Sequence, residues 1–486
     1  MGEEALARPV LGMIGPTRRD KDLALAQALC EMLRNRILDG LWRHGEKLPG
    51  TRVIAKDAGV SRWTAVMAVD MLLAEGLVET RRRSGTYVNW AGAGPELRPS
   101  SRPAHGQSET VKPHAPFAVG VPGLDLFPMQ IWRRLQAKRW RDMPVDALQA
   151  GHDGGWPELR AAVAAHVGSA RGIKCAAEQV FITAGMHAAI LLVSEVLCRP
   201  GSVAWTEDPG YFRTRTALKA ANLAPVAVAV DDQGISVDDG RRLAPKAPLA
   251  VLTSTYQFPT GVTLSDARKR QLLEWSAESG SFILEDDFGC EARAPRAATL
   301  PLAAMSNAPR VVYMNTFTTT IFPSLRLSYL IVPRAVVDRF AEAVRRADRY
   351  ATIPNQIVLA DFMAAGHFAK HIRRCRDAYE ERRGVLESAL RDECPDVVAG
   401  PPLASGLHLC IRFKRRIDDL AVAAAAQDAG LLVDPLSRFY AGPPQETGLV
   451  LGFAGFRPET LREAAKRLGN VLEAFAVQPD RAAAGA

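Results

Sequence analysis

The 486-residue sequence lacks the features of several protein classes. It has no run that approaches the roughly 18 apolar residues of a membrane-spanning helix. Its first residues include acids where a secretory signal has a basic region. The seven cysteines are far apart and form no Cys-x-x-Cys pair, which argues against a disulfide framework or a thiolate zinc site. We therefore expect a cytoplasmic protein with reduced thiols, and we find no internal repeat.

The composition is that of an ordinary globular protein. Apolar residues make up 48% and charged residues 23% of the chain, and the length fits a small domain joined to a larger, enzyme-sized one. The net charge of +8 permits nucleic-acid binding without demonstrating it. Residues 91–116 are rich in Gly, Pro and Ser. Because such a segment cannot bury enough apolar surface to fold, we predict that it is a flexible linker. The predicted organisation is an N-terminal extension (1–20), a small domain (21–90), the linker (91–116), a large domain (117–475) and a disordered tail (476–486).

The small domain has the pattern of helix, helix-turn-helix and hairpin. Apolar residues at a near-helical period predict a helix over 21–38. A second helix is predicted from Thr51, as its N-cap, to Ala58. After a tight turn, Ser61 is placed to cap a third helix. Two short strands, 77–80 and 86–88, flank a basic tip, so the outline is that of a winged helix.

A winged helix places the start of its third helix in the major groove and its wing against phosphate or the minor groove. The predicted DNA contacts are therefore Arg52, Ser61, Arg62, Thr64, Arg81, Arg82, Arg83 and Gly85. The alternative is a packing module whose arginines form a solvated face. Cap, turn and wing together favour DNA binding.

Four segments carry a resemblance to a known family: 48–52 (Leu-Pro-Gly-Thr-Arg), 59–64 (Gly-Val-Ser-Arg-Trp-Thr), 74–78 (Ala-Glu-Gly-Leu-Val) and 84–88 (Ser-Gly-Thr-Tyr-Val). They resemble the DNA-binding domain of GntR-type bacterial transcription factors. The resemblance covers almost all of residues 20–90 and implies operator DNA as a partner.

In the large domain, short apolar strands alternate with helical stretches. The predicted strands are 180–183, 203–205, 249–253, 281–285 and 311–314. This alternation is typical of an α/β fold with a mostly parallel sheet, whose ligands bind beyond the carboxyl ends of the strands.

Polar clusters follow those strands. Residues 183–187 leave a strand and open a helix, so their N–H groups could hold a phosphate. Residues 285–287 place consecutive acids at a strand end, where a buried charge needs a cation. Arg326 follows a hydroxyl-rich segment, 315–320. Together these clusters suit a ligand with a phosphate and a basic ring nitrogen, although each alone could be capping or loop solvation.

Further segments resemble the MocR family, in which a GntR-type winged helix is fused to a fold-type I aminotransferase domain. They are 153–160, 207–211, 257–261, 285–288, 315–317, 322–326 and 366–374. The resemblance extends over about residues 20–472. It implies a large aminotransferase-like α/β domain with a small C-terminal α+β subdomain, a pyridoxal-phosphate site, and a head-to-tail homodimer.

The same resemblance suggests roles for single residues. Asp286 resembles the acid that pairs with the pyridine nitrogen, and Tyr211 the aromatic that stacks on the ring. Gly185, Thr316, Thr318 and Arg326 resemble the phosphate site. Arg213 resembles an arginine that receives an effector carboxylate, and Arg457 is a second candidate. The predicted effector contacts are Arg213, Tyr256, Phe288, Thr319 and Arg457.

Several positions depart from the family pattern. Thr319 stands where relatives carry the lysine that forms an imine with pyridoxal phosphate, and a hydroxyl supplies neither covalent capture nor proton transfer. Phe288 replaces a tyrosine that hydrogen-bonds the ring oxygen, and Tyr256 replaces a histidine. A tyrosine-containing segment before Gly155 is also altered, with Ala150, His152 and Asp153 in its place.

We therefore predict a DNA-binding regulator whose aminotransferase-like domain senses a small ligand without catalysis and without covalent pyridoxal phosphate. One alternative is a working aminotransferase with a DNA-binding appendage. Another is a regulator that binds pyridoxal phosphate noncovalently or as a preformed amino-acid adduct. His367 and His371 have the i, i+4 spacing of metal ligands, but no third ligand accompanies them, so no metal site is predicted.

Overall fold

The computed structural model describes residues 18–81, 84–90, 115–149, 151–292, 300–305, 308–395, 397–404 and 406–476. Contacts between residues divide the chain into two units, 1–110 and 111–486. The division falls inside the predicted linker. Most of that linker, 91–114, lies outside the described residues, as do the predicted extension up to residue 17 and the tail from residue 477.

The first unit contains three helices and a hairpin: α1 (Arg18–Leu38), α2 (Thr51–Ala58), α3 (Arg62–Ala74), β1 (Val78–Arg81) and β2 (Gly85–Val88). The predicted elements all form, with bounds that differ by up to three residues. The predicted N-cap of α2 is wrong, because Gly50 holds the extended cap conformation and Thr51 is already helical.

Apolar residues at helical spacing build the core of the first unit. Leu29, Leu33 and Ile37 lie on one face of α1 and are almost fully buried against α3. From α3, Ala68 and Leu72 pack into the same cluster. The small alanine side chain lets the helices approach closely, so the core fixes the position of α3.

The second unit follows the pattern of alternating helices and strands. Its helices are α4 (Met129–Arg141), α5 (Pro157–Arg171), α6 (Met186–Leu197), α7 (Phe212–Ala220), α8 (Val237–Leu243), α9 (Asp266–Ser279), α10 (Val337–Arg346), α11 (Ile353–Ala364), α12 (His367–Glu393), α13 (Asp419–Asp428) and α14 (Pro458–Ala476). Its strands are β3 (Val180–Thr183), β4 (Val203–Asp208), β5 (Ala224–Asp231), β6 (Gly234–Ile235), β7 (Leu249–Thr253), β8 (Phe282–Asp286), β9 (Val311–Thr316), β10 (Ser328–Ile331), β11 (Val398–Ala404), β12 (His408–Phe413), β13 (Asp434–Pro435) and β14 (Gly448–Gly452).

An eight-stranded sheet forms the centre of this unit, in the order β3-β10-β9-β8-β7-β4-β5-β6. The contacts between β9, β8, β7, β4 and β5 are parallel, whereas β10 and β6 pair antiparallel with their neighbours. The predicted mostly parallel α/β sheet is confirmed.

Both faces of the sheet are buried because successive strand residues point to opposite sides. Val312 and Met314 of β9 join a core formed with α6 and α10. Tyr313, between them, joins the core on the opposite face, formed with α5 and α11. The strands are therefore apolar along most of their length, and polar side chains are tolerated where the strands end.

A smaller antiparallel sheet, β11-β12-β14-β13, packs with α12, α13 and α14 around its own core. This part is the predicted C-terminal α+β subdomain. No helix among the described residues is long and apolar enough to cross a membrane.

Candidate functional site

A cleft of about 740 Å³ opens at the carboxyl ends of β4, β7, β8 and β9. It is lined by all six predicted cofactor-site residues: Gly185, Tyr211, Asp286, Thr316, Thr318 and Arg326. Of the predicted effector contacts, Arg213, Phe288 and Thr319 also line it. The sequence segments that contribute these side chains are far apart in the chain, and the parallel sheet brings their strand ends to one edge.

One end of the cleft is suited to an anion. Gly185 precedes the first residue of α6, whose N-terminal N–H groups have no partner within the helix. Arg326, in a left-handed backbone conformation, forms no salt bridge with any described residue. The Thr316 hydroxyl accepts hydrogen bonds from the Thr318 N–H (3.1 Å) and from the buried Ser328 hydroxyl (2.8 Å). This end therefore combines helix N–H groups, hydroxyls and an unpaired guanidinium.

Two carboxyl groups line the floor of the cleft. Burial, and then the charge of Asp287, raise the pKa of Asp286 to about 7. Burial also raises the pKa of Glu207 to about 8, although Glu207 accepts hydrogen bonds from the Thr253 N–H (3.1 Å) and hydroxyl (2.9 Å). Burial therefore favours the protonated form of both acids, and a cationic group that entered the cleft would lower their pKa values.

A buried polar network holds the strand end that carries Asp286. The adjacent Asp287 accepts hydrogen bonds from Arg171 Nε (2.8 Å), from the Tyr313 hydroxyl (2.7 Å) and from the Thr255 hydroxyl. Arg171 also donates to Thr255 Oγ1 at 2.8 Å. With Asp287 fully buried and paired, the neighbouring Asp286 is free to face the cleft.

Aromatic side chains form one wall of the cleft. Tyr211 lies edge-to-face on Phe258, with ring centroids 5.3 Å apart, and Phe258 also contacts Phe439 at 5.0 Å. Phe288 meets Phe258 at 6.4 Å. Such a wall can stack on a planar ring.

Arg213 and Arg438 are two more cations that line the cleft. Their guanidinium carbons lie 5.7 Å and 4.7 Å from the centre of the Phe212 ring. Arg438 Nη1 is 3.3 Å from Asp434 Oδ1. Burial raises the pKa of Asp434, and the two arginines oppose that shift.

Two predicted effector contacts do not line the cleft. Arg457 is 74% exposed and faces Asp125, with Nε 3.9 Å from Oδ2. Tyr256 lies next to Gly289. Arg438 lines the cleft together with Arg213, whereas Arg457 does not, and an effector role for Arg457 stays a prediction.

Among the described residues, no lysine lines the cleft. Thr319 is half-buried at its wall, and the following residue is fixed by a hydrogen bond between His371 Nε2 and the Thr320 carbonyl (2.8 Å). His371 is thus engaged with the backbone, and no group of three or more His, Cys, Asp or Glu that could hold a metal occurs among the described residues. Cys290 is buried and accepts a hydrogen bond from Asn315 Nδ2 at 3.3 Å, so we assign it a structural role in the core.

The start of α3 is the candidate DNA-reading surface of the first unit. Ser61 caps the helix, as predicted, by accepting a hydrogen bond from the Thr64 N–H at 3.0 Å. The prediction that Thr64 faces the groove is wrong, because its side chain is 1% exposed and its hydroxyl contacts that of Ser61 at 2.7 Å. Trp63, which the sequence reasoning missed, is 66% exposed at the first turn.

Three of the predicted arginine contacts lie among the described residues. Arg52 and Arg62 are exposed at the starts of α2 and α3, and Arg81 is exposed at the end of β1. Arg82 and Arg83 lie outside the described residues. Gly85 has a φ of +119°, a backbone conformation that favours glycine, and a Cβ there would lie 2.7 Å from Lys47 Cε.

Sequence comparisons match both units. Residues 25–88 match the model of bacterial regulatory proteins of the gntR family, and residues 128–468 match that of class I and II aminotransferases. The Probable rhizopine catabolism regulatory protein MocR of Rhizobium meliloti is 34% identical over 96% of this chain and 98% of its own. The chain belongs to the MocR family of transcriptional regulators. The HTH-type transcriptional regulator TauR of Rhodobacter capsulatus is 30% identical over 92% of this chain and 96% of its own.

Solved structures match the aminotransferase-like unit of this MocR-family protein. A Pyrococcus horikoshii kynurenine aminotransferase superposes with a TM-score of 0.68 at 24% identity, covering 76% of this chain and 93% of that one. The α-aminoadipate aminotransferase LysN of Thermus thermophilus, complexed with N-(5'-phosphopyridoxyl)-L-leucine, gives 0.66 at 25% identity, covering 74% and 92%. The first of these matches shows the fold alone. The predicted aminotransferase-like fold and the regulatory family are confirmed.

Proposed function

We propose that this MocR-family regulator binds operator DNA through its winged helix and senses a small anionic ligand in the cleft of its aminotransferase-like unit, without turning that ligand over. The observation that carries the proposal is the cleft itself, which combines an anion site, an acid and an aromatic wall but is lined by no lysine among the described residues.

The cleft residues fit pyridoxal phosphate or a pyridoxyl adduct held noncovalently. Arg326, the start of α6, and the hydroxyls of Thr316 and Thr318 would hold the phosphate. Asp286 would pair with the ring nitrogen, and Tyr211 would stack on the ring. When bound covalently to an enzyme, this cofactor supplies an electron sink for reactions at an amino-acid carbon. Here the residues at its expected position can bind and orient it, but they offer no amine.

Two further arginines of the cleft suit a carboxylate on the ligand. Arg213 and Arg438 present guanidinium groups, which suit bidentate recognition of a carboxylate. Asp434 balances part of this charge in the ligand-free protein. A ligand that carries both a phosphate and a carboxylate, such as a phosphopyridoxyl amino acid, matches the cations that line the cleft.

The alternative of a working aminotransferase requires a proton carrier next to the reacting carbon. Relatives of this fold use a lysine, and Thr319 lies at the wall of the cleft instead. Two carboxyl groups lie at the cleft floor. Glu207 is held by a hydrogen bond from the Thr253 N–H, and Asp286 is the last residue of β8. We therefore favour recognition over catalysis.

Regulation requires that the ligand distinguish two states of the protein. We propose that the regulator is a head-to-tail homodimer and that ligand binding changes how its two winged helices are presented to DNA. A set of apolar residues on the second unit, Met129, Trp140, Val145 and Leu148, is more than half exposed and is available to an interface. Light scattering should give twice the mass of one chain.

The test of this function uses DNA sequences that the purified full-length protein selects from a random library. Affinity for a selected sequence is measured with and without N-(5'-phosphopyridoxyl)-L-leucine. The proposal predicts that saturating ligand changes the Kd by about 5- to 150-fold, the range of ordinary allosteric coupling. An unchanged Kd, with the ligand shown to be bound, would refute the coupling.

A further inference from the structure

We propose that Lys47 is a DNA-phosphate contact of the wing and that the ring of Tyr87 positions Lys47 and Arg81 together for this purpose. The proposal rests on the DNA binding proposed above, and it adds a residue that lies outside the helix-turn-helix. The relevant surface, which we call the wing face, consists of Lys47, Glu79, Arg81 and Tyr87.

Strand pairing places these four side chains on one side of the hairpin. Glu79 lies opposite Tyr87 in the pairing of β1 with β2. Lys47 forms an antiparallel bridge with Tyr87 on the other side of β2, so the segment around Lys47 acts as a third strand. Backbone hydrogen bonds from Leu48 N to Thr86 O (2.9 Å) and from Val88 N to Glu46 O (2.8 Å) fix this register.

The opposite side of the same three segments is buried. Leu48, Val78 and Val88 are at most 3% exposed and pack in the core of the first unit. Because successive strand residues alternate between faces, the wing face must point to solvent. Lys47 and Arg81 are indeed exposed.

The Tyr87 ring holds both cations near each other. The Arg81 guanidinium carbon is 4.5 Å from the ring centre, and Lys47 Nζ is 6.0 Å from it. The Tyr87 hydroxyl also forms a 2.6 Å hydrogen bond with that of Ser84, while the position of the ring is set by the strand pairing. An aromatic face attracts cations, so it offsets the repulsion that would otherwise separate two like charges.

Gly85 gives an independent reason to treat Lys47 as part of this surface. A side chain at Gly85 would collide with Lys47 Cε, because its Cβ would lie 2.7 Å away. Lys47 therefore crosses the hairpin at Gly85, whose φ of +119° itself favours glycine. The one acid of the wing face, Glu79, accepts a hydrogen bond from Arg81 Nε at 2.7 Å, which leaves Lys47 without an acidic partner among the described residues.

Two cations on one exposed face of a wing match the phosphates of a DNA strand. Each phosphate that a protein neutralises steepens the dependence of binding on salt by about 0.9 in log–log slope. This dependence does not require a specific sequence. The contact can therefore be tested without knowledge of the operator.

The experiment measures the Kd of the full chain for a fluorescein-labelled mixed-sequence duplex by anisotropy, from about 0.05 to 0.2 M salt. The test variant is Lys47→Gln, and the control is Lys246→Gln, which removes the same charge from an exposed lysine of the second unit. We expect Lys47→Gln to lower the slope by about 0.9 per bound winged helix and to weaken binding roughly 8-fold at 0.1 M salt. Lys47→Arg should restore both values.

Variants of the ring test the positioning role. Tyr87→Phe keeps the aromatic face and should bind like the natural protein, whereas Tyr87→Leu should bind roughly two- to five-fold more weakly. Thermal unfolding of each variant shows whether the winged helix is folded. Equal affinity of Tyr87→Leu and Tyr87→Phe would overturn the role of the ring.

If Lys47→Gln retains the slope and affinity of Lys246→Gln, the phosphate contact is wrong while DNA binding itself stands. If the natural protein binds no DNA at any salt concentration, the proposed function fails and this inference fails with it.

Discussion

Arg326 lies against Gly185: a Cβ on that glycine would be 3.4 Å from Arg326 Nη2. Gly185 has a φ of +95° and directly precedes α6, so the guanidinium lies beside the N-terminus of that helix. A helix N-terminus and an arginine that forms no salt bridge within the described part of the chain lie side by side, and both favour negative charge. This contact joins two distant parts of the chain into one anion site.

Removal of the Arg326 charge should weaken binding of phosphorylated ligands specifically. We expect Arg326→Gln to raise the Kd for pyridoxamine 5'-phosphate by about 10- to 150-fold, because hydrogen bonds to charged groups contribute about 1.5–3 kcal/mol. Isothermal titration calorimetry checks this value. Pyridoxamine without its phosphate is the control ligand, and a comparable loss of affinity for it would contradict the assignment.

Arg438 should distinguish ligands that carry a carboxylate from those that do not. Arg438→Gln is expected to weaken N-(5'-phosphopyridoxyl)-L-leucine by about tenfold or more and to leave pyridoxamine 5'-phosphate unaffected. Arg457→Gln is the matched control, because Arg457 is exposed and faces Asp125 instead. If Arg457→Gln reproduced the effect, Arg457 would be the carboxylate-binding residue after all.

Asp286 should destabilise the ligand-free protein as the pH rises. Its pKa is raised from 3.8 to about 7, so folding favours the protonated form. The stability that this group contributes is complete below about pH 4 and is lost as the pH rises to about 7. Asp286→Asn should therefore have a higher Tm than the natural protein, with a difference that grows from about pH 4 to 7 and is constant above. Asp232→Asn, at an exposed acid, should show no such trend.

Trp63 should contribute to DNA recognition without contributing to stability. Its side chain is 66% exposed at the first turn of α3, where a winged helix meets the major groove. Trp63→Ala is expected to change the free energy of unfolding by less than about 0.5 kcal/mol, while affinity for the selected DNA falls. Thr64→Ala should lower the free energy of unfolding and leave affinity for the selected DNA unchanged, because Thr64 is buried. Unaltered DNA affinity of Trp63→Ala would remove the indole from the reading surface.

Much of the fold follows from periodicity. The strands β3 and β7 have their predicted bounds, since three or four consecutive apolar residues followed by a threonine permit few alternatives. The predicted strand 203–205 instead extends to Asp208. Its polar residues Thr206 and Glu207 are buried at the strand end, where hydrogen bonds satisfy them. A prediction from hydropathy alone therefore ends this strand too early.

The cleft was predicted less completely. Glu207 lies in a segment, 207–211, that resemblance had already singled out, yet its burial next to Thr253 depends on strand pairing. Arg438 and Asp434 follow no periodic pattern, because Asp434 lies in the two-residue strand β13 and Arg438 lies in the short 3-10 turn that follows it. Thr64 failed for a different reason: a residue three positions after an N-cap can face either the cap or the groove, and only packing decides between them.

The most direct test of the central claim is chemical trapping. The natural protein is incubated with pyridoxal 5'-phosphate, reduced with borohydride and mapped by mass spectrometry beside a Thr319→Lys variant. The account predicts a pyridoxyl group at position 319 of the variant and none on any cleft side chain of the natural protein. A stable pyridoxyl group on a lysine of the natural cleft would contradict it.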